Sequence, residues 1–372
     1  MFLGDSRNRA LIHLQSPQLH LNLYTLKLYS LNIIRTKMSI QIASFSETKE
    51  IGKRVARMLN TEFKENFDNY ATFSSKFSNG QFPKRRNIIE KIIHDEISVS
   101  CFPDEESLVK LNKNPKDSAL IIISSLARNP NKKIIETILA ADSARENGAD
   151  KVILFATYLP YMRQDKIFNN YECISAKNIL ITLSQHFDKV FAIDPHLHRI
   201  KTLKSIAKNC HEISSINLIA DYIKKHLKQD FMLVGPDAES KQWDKNIAKL
   251  LNKKAIILQK TRFSSDKVKI KSEHIANKNI LIIDDIISTG HTILETIKTA
   301  RKHGVKDINV IGIHGIFANN SDKLIKKHAN LITTNTIPNK YSKIDTSPLI
   351  AETIKNYVIA NNINNRKRIV IC

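Results

Sequence analysis

The run ILIIDDIISTGHTILETI, residues 280–297, sets Asp284 and Asp285 side by side inside an apolar stretch and follows them with a Ser-Thr-Gly-His-Thr turn. An uncompensated carboxylate in an aliphatic strand is expensive, so the pair is expected at a strand's end, beside a crevice. Side chains alternate along a strand, but a turn at its end would let both carboxylates reach one crevice. There they could accept hydrogen bonds from sugar hydroxyls or help to hold Mg²⁺. Ser288, Thr289, Gly290, His291 and Thr292 then offer consecutive backbone N–H groups and hydroxyls at a helix start, a geometry that cradles a phosphate. No G-x-x-x-x-G-K-[ST] run occurs, so this is not a Walker A loop. Taken singly, an Asp pair reads as a solvated strand end and a Ser/Thr turn as a helix cap. Strand, acidic pair, hydroxyl–Gly turn and helix in one stretch are far more specific.

Those residues need a scaffold. From Met38, β-branched runs at 40–43, 119–124, 151–156, 189–193, 231–234, 255–259, 280–283 and 307–313 alternate with helical patterns. The helical patterns lie at 47–59, 131–146, 174–185, 214–225 and 292–303, and Gly304 suits a left-handed residue just past the last of them. Such alternation predicts an α/β chain of two doubly wound units with parallel sheets. IIISSLARNPNKKIIETI, residues 121–138, echoes the acidic stretch as strand, polar loop and helix, as a duplicated fold would if only the second copy kept the acids. The division is expected near Val190, giving units 38–189 and 190–360, with the final residues returning to the first half and a basic tail at 361–372. In open α/β sheets ligands bind beyond the carboxyl ends of the strands, where these loops lie.

Composition sets outer limits. A chain of 372 residues, 42% hydrophobic and 25% charged, is long enough for two cores. Cys101, Cys173, Cys210 and Cys372 are scattered without a C-x-x-C pair, which argues against a disulfide framework or zinc site and suits a cytoplasmic protein. The formal charge of +22 comes mostly from dispersed Lys. Its densest cluster is Arg366-Lys367-Arg368, with no aromatic-interleaved basic stripe, so attraction to phosphorylated metabolites is favoured over dedicated nucleic-acid binding. Residues 1–37 hold a single acid, Asp5, and no run of the roughly 20 apolar residues a membrane span needs. They read as a basic extension, with translation expected to start at Met38, or as a transit peptide.

The acidic stretch resembles the 5-phosphoribosyl-1-diphosphate (PRPP) binding motif shared by type I phosphoribosyltransferases and ribose-phosphate diphosphokinases. Other stretches resemble the diphosphokinases alone. ATYLPYMRQDKIF, residues 156–168, looks like their ATP-binding segment, with Arg163, Gln164 and Asp165 matching its Arg-Gln-Asp core. FPDEESLVKL, residues 102–111, is similar to their F-x-D-G-E loop, which contributes to the ATP site of a neighbouring subunit; Phe102, Asp104 and Glu106 match, and Glu105 replaces the Gly. IDPHLHRI looks like the Asp-x-His metal segment and points to His196 as a Mg²⁺ ligand, with His198 read as structural. LVGPDAESKQW resembles the Pro-Asp segment whose Asp, here Asp237, holds a second metal; Ala238-Glu239-Ser240 follow where many members have Gly-Gly, and Trp243 reads as packing. LQKTRFSSDKVKI places Lys260 and Arg262 on the catalytic Lys-x-Arg.

The resemblance covers residues 38 to about 360. It implies two tandem type I phosphoribosyltransferase-like domains that transfer the diphosphoryl group of Mg-ATP to ribose 5-phosphate. It further implies Mg²⁺ as cofactor and a homo-oligomer with an ATP site shared between subunits. A phosphoribosyltransferase consuming PRPP would instead have one catalytic domain and a hood. A silent regulatory subunit would fit the replaced glycines at Glu105, Ala238 and His291, yet would be expected to lose Lys260 or the acidic pair. A nucleic-acid-binding regulator on the same fold would call for a winged-helix pattern before it, and none is present.

Overall fold

A computed structural model describes residues 38–77, 89–227, 230–236, 241–257 and 279–368. Asp237, Lys260 and Arg262 lie outside the described residues, as do residues 1–37. The chain begins with β1 (Met38–Ser44), α1 (Lys49–Phe77), β2 (Ile89–Cys101), β3 (Ser107–Leu111), β4 (Ser118–Ser125), α2 (Pro130–Glu146) and β5 (Lys151–Tyr158). It continues through α3 (Ser175–His186), β6 (Lys189–Ile193), β7 (Cys210–Ile213), α4 (Ile216–His226), β8 (Met232–Gly235), α5 (Lys241–Leu251) and β9 (Ala255–Ile257). Last come β10 (Ile280–Ile287), α6 (His291–Lys302), β11 (Ile308–Gly315), α7 (Ser321–Lys326), β12 (Asn330–Thr334), β13 (Ser342–Ile344) and α8 (Ser347–Arg368).

The apolar runs become interior strands because both of their faces are covered, the usual state of parallel sheets. In β4, SALIIISS, every residue is buried. Among the described residues the first sheet has the order β3-β2-β1-β4-β5-β6-β7 and the second β13-β12-β11-β10-β8-β9. All pairings are parallel except the β2–β3 hairpin. Strand order reverses between β1 and β4 in one sheet and between β8 and β10 in the other, and such reversals are where doubly wound sheets open a ligand crevice.

The division expected near Val190 falls inside the first sheet. β6 pairs with β5 and β7 with β6, so the chain leaves that sheet only after Ile213. Strand β7, CHEI, is too short and polar to stand out in the sequence. The return of the chain's last helix is as expected. Ile350, Ala351, Ile354 and Val358 of α8 join Ile40, Ile42, Ile51, Val55 and Leu59 in one core on the first sheet. Each of the Ile, Leu and Val side chains contributes ~1.5–3 kcal/mol when fully buried. Flanking ion pairs, Lys355–Glu62 at 3.0 Å and Arg54–Asp345 at 2.9 Å, lie on the same seam. The two units meet through Ala127 and Tyr158 of the first and Ile286 and Ile337 of the second.

Candidate active site

Strand β10 does not stop before the carboxylates. Its ladder with β11 runs from Ile280↔Ile308 to Ile287↔Gly315, whereas β8 accompanies it only from Ile280 to Ile282. Both Asp side chains therefore stand on a continuing strand whose other edge has lost its neighbour. Ile280 and Ile282 pack with Ile293 and Ile297 of α6, and so does Ile287, so strict alternation does not run unbroken through the acidic pair. Asp285 follows Leu281 and Ile283, which pack with Ile219 of α4 and Ile247 of α5. The carboxylates therefore stand within the strand and not in a turn beyond it.

Asp285 meets the first unit. Its Oδ2 lies 2.5 Å from Nδ1 of His196, in the loop that leaves β6, and Nε2 of His198 is 3.2 Å from that same Nδ1. Burial alone would push the Asp285 carboxyl up, but the hydrogen bond and charge of His196, with His314 and His198 nearby, hold it below the ordinary carboxylate range. His196, His198 and Asp285 each offer one ligand atom within 4.8 Å of the others, so the residues present fit a divalent cation. A cleft of about 1000 Å³ opens beside them, lined by Asp194, His198, Arg199, Trp243, Lys245 and Asp285 among others. Trp243 both packs on the second core, as expected, and walls this cleft.

The turn after β10 is built around Gly290, the cap residue of α6 at φ 70°. A Cβ there would meet Ile325 Cδ1 at 3.0 Å and Ser321 Cβ at 3.1 Å, so backbone conformation and space both call for Gly. Ser321 Oγ donates to the Ser288 carbonyl at 2.7 Å and pins the turn to α7. Ser288 is half-buried, Thr289 and His291 are exposed, and Thr292 lies in the first turn of α6. His291, where the family motif has Gly, is the first helical residue and has no positive φ, so its side chain points out without disturbing the turn.

The other predicted residues divide. Arg163 is exposed and lines a cavity of about 210 Å³ with Tyr158, Gln164 and Ile286 of β10. Gln164 is engaged within the protein: its Oε1 accepts from Ser175 Oγ at 2.6 Å and its carbonyl from Ala176 N at 3.2 Å, fastening the start of α3. The Asp165 side chain is 2% exposed; Oδ1 accepts from Arg199 at 2.8 Å, and Oδ2 has no hydrogen-bond partner among the described residues. Phe102, Asp104 and Glu106 form the exposed tip of the β2–β3 hairpin, where Phe102 N donates to the Glu106 carbonyl at 2.9 Å. Glu105 adopts φ 71°, so the chain keeps the glycine-like conformation with a side chain in place. From β2 to β6 is four strand spacings, ~19 Å, and this tip is not brought to the His196 crevice of its own chain.

Sequence reasoning missed the buried polar seam behind His196. Asp194, at φ 40°, accepts from Ser215 N and Oγ. Its carbonyl accepts from His314 Nε2 at 3.1 Å, while Nδ1 of His314 pairs with Thr336 Oγ1 at 2.9 Å. Thr157 Oγ1 donates to the Thr336 carbonyl at 2.7 Å from the first unit. Burial pushes His314 down to about 4, so the ring is neutral and Nε2 carries the proton it donates. Burial pushes Asp194 up to about 7 against the hydrogen bonds from Ser215. Only the strand-end acid in IDPHLHRI hinted at this seam; a His inside an apolar strand carries no such signal.

Comparison with known proteins bears on this arrangement. The model of the N-terminal domain of ribose phosphate pyrophosphokinase matches residues 40–186, and that of the phosphoribosyl transferase domain matches residues 201–349. The ribose-phosphate pyrophosphokinase of Pyrococcus abyssi is 34% identical over 254 residues, which span 67% of this chain and 86% of the relative. That of Pyrococcus furiosus is 32% identical over 266 residues, 71% of this chain and 94% of the relative. The crystal structure of phosphoribosylpyrophosphate synthetase from Mycobacterium smegmatis superposes with a TM-score of 0.69 at 19% identity, covering 87% of this chain and 99% of that one. At that identity the likeness speaks for the fold.

Proposed function

The chain belongs to the ribose-phosphate pyrophosphokinase family, and on that premise we propose its reaction and the part each residue plays. It transfers the diphosphoryl group of Mg-ATP to the 1-hydroxyl of ribose 5-phosphate, giving PRPP and AMP. The sugar oxygen attacks the β-phosphorus, the bond from that phosphorus to the α,β-bridging oxygen breaks, AMP leaves with that oxygen, and the hydroxyl proton is lost. Placement matters more than covalent chemistry in such a step. Holding both substrates in line recovers ~7–11 kcal/mol of barrier.

The observation that carries this reading is the His196–Asp285 contact, which joins the two units at the second sheet's strand-order reversal. The turn of Ser288, Thr289, Gly290, His291 and Thr292 grips the 5-phosphate at the N-terminus of α6. Asp284 and Asp285 orient the ribose hydroxyls, Asp285 from beside His196. Arg163 reaches the nucleotide from the first unit, with Gln164 and Asp165 shaping its loop. Lys260 and Arg262 close over the phosphates and offset charge developing on the bridging oxygen. His196 and Asp237 would hold a divalent cation that neutralises phosphate charge, and Mg²⁺ would arrive on ATP. Phe102, Asp104 and Glu106 complete the ATP site of a second copy, since they are not brought to the crevice of their own chain. The thiols Cys101, Cys173 and Cys210 are free, which favours the cytoplasm, and among the described residues no helix is long and apolar enough to cross a membrane.

The test is AMP release from Mg-ATP with and without ribose 5-phosphate. AMP that appears only with the sugar supports the reading; none under either condition favours a silent subunit. Lys260→Ala should lower turnover by the ~3–4 kcal/mol typical of one lost electrostatic donor while the sugar phosphate still binds. A near-normal rate in that variant removes Lys260 from the reaction.

A further inference from the structure

Three ligand atoms converge at the mouth of the cleft, and two belong to imidazoles. His196 Nδ1 is the shared point, 2.5 Å from Asp285 Oδ2 and 3.2 Å from His198 Nε2, and the two rings stand nearly edge to face with centroids 3.8 Å apart. Two donors bound at ~2.1 Å to one ion, at octahedral or tetrahedral angles, lie ~3.0–3.4 Å apart. The two imidazole nitrogens already have that spacing. The Asp285 oxygen needs to withdraw by less than about 1 Å, exchanging its bond to His196 for a bond to the ion. Each donor has a fixed base: Asp285 stands on β10, and the His196 loop is fastened through Asp194 to Ser215 and His314. His198 is exposed and lines the cleft, which provides a way in.

The donor set is wrong for a hard cation. Mg²⁺ prefers oxygen and water in near-octahedral array, whereas imidazole suits the first-row transition metals and zinc, and a two-imidazole, one-carboxylate face is among their common sites. We propose that His196, His198 and Asp285 form a three-ligand site selective for a dication of the Mn²⁺, Co²⁺ or Zn²⁺ class over Mg²⁺. This deepens the reading above and rests on it for the ion's use, the protein-bound ion being distinct from the Mg²⁺ that arrives on ATP. It gives His198, taken as structural from the sequence, the part of a ligand.

The test uses the full chain without substrates, titrated with Co²⁺ while its visible absorption is followed and with Mg²⁺ as competitor. One Co²⁺ per chain should bind, and an equal concentration of Mg²⁺ should fail to displace it. His198→Asn should weaken Co²⁺ by ~10–100-fold, the scale on which a supporting group alone acts, while Mg²⁺ affinity and melting temperature stay near those of the parent protein. Asp285→Asn should do the same to Co²⁺; if it fails to fold, His198→Asn, at an exposed position, still decides. Co²⁺ bound no more tightly than Mg²⁺, or bound equally by His198→Asn, overturns the site. AMP release assayed separately keeps the two readings apart. A protein that makes PRPP yet is indifferent to Co²⁺ sinks only this inference, and one that binds Co²⁺ yet makes no PRPP sinks only the reaction.

Discussion

Each sheet reverses its strand order once, and the two reversals have opposite contents. At the first, Phe45 follows β1 and Leu126 follows β4, both buried in one aliphatic core, and Thr48 Oγ1 ties the same corner to the Ile123 carbonyl at 2.7 Å. At the second, β8 ends at Gly235 and β10 carries Asp284 and Asp285 past it. The frames are otherwise alike. The helices that follow β4 and β10 are both capped by a left-handed residue, Asn129 at φ 63° and Gly290 at φ 70°. Both carry a Glu-Thr pair whose Thr is buried, Thr137 in α2 and Thr296 in α6. One scaffold thus becomes a core when its corner is filled with apolar side chains, and a site when a carboxylate stands there opposite an imidazole from the other sheet.

The largest effect should come from exchanging those contents. Leu126→Asp places a carboxylate in the closed corner with no imidazole to meet it, and an uncompensated buried charge costs ~3–5 kcal/mol, read as a lower urea midpoint. Asp285→Leu does the reverse. Removing one member of a buried pair also costs stability, up to ~3–5 kcal/mol, but only here should AMP release per folded molecule fall by ~10²–10³, the scale of one lost electrostatic group. Equal loss of AMP release per folded molecule in the two variants would mean the corners do not differ as described.

The next effect probes what holds the open corner in place. His314 faces Asp194, Asp285 and His196, and burial moves His314 to about 4 and Asp194 to about 7. For His314 the folded value lies below the unfolded 6.5, so its contribution is complete above about pH 6.5 and lost as pH falls toward 4. For Asp194 the folded value lies above the unfolded 3.8, so its contribution is complete below about pH 4 and lost as pH rises toward 7. Between those limits the folded pair holds its proton on Asp194 and the unfolded pair on His314, so the proton counts cancel and this pair adds no slope. Asp194→Asn should uncover the His314 slope, a rise on the order of 3 kcal/mol from pH 4 to 6.5 in urea unfolding. His314→Gln should uncover a fall. A steep slope already present in the parent protein and unchanged by Asp194→Asn would dissolve the pairing.

The smallest effect compares the caps. Gly290→Ala meets both an unfavourable φ and close neighbours and should cost ~1–2 kcal/mol. It should also raise the KM for ribose 5-phosphate. Asn129→Gly changes little: its side chain makes no capping bond, and Gly at a cap costs only about a few tenths of a kcal/mol. Matching thermal shifts in the two variants would erase the distinction between a cap that only starts a helix and one that also forms a binding turn.

What could be read from the sequence follows what was continuous in it. The buried parallel strands are contiguous apolar runs, and each expected run holds a strand, the run at 255–259 as far as the described residues reach, Ile257. The β2–β3 hairpin was hidden because IEKIIHDEISVSC carries charges through a strand next to the sheet edge. The strands β12 and β13 are short and polar-flanked, and α7 has six residues, too few to show a period. The acidic pair and the Gly turn were visible because the whole unit is local. The His196–Asp285 contact spans 89 residues and the His314–Asp194 contact 120, and no spacing rule reports which buried strand will cross which loop. The same limit moved the boundary: β6 looked like a beginning, and only its pairing with β5 shows it to be a continuation.

Helix α8 bears on how the molecule is made. A ribosome releases the chain in order, and the first sheet's strands emerge well before Ile350, Ala351, Ile354 and Val358, which cover one of its faces. At ~5–20 residues per second, the part of that face not covered by α1 stays bare for many seconds while the second unit is synthesised. The first unit's core is completed by a helix that follows the second unit in the chain, so the first half matures only after the second has been synthesised.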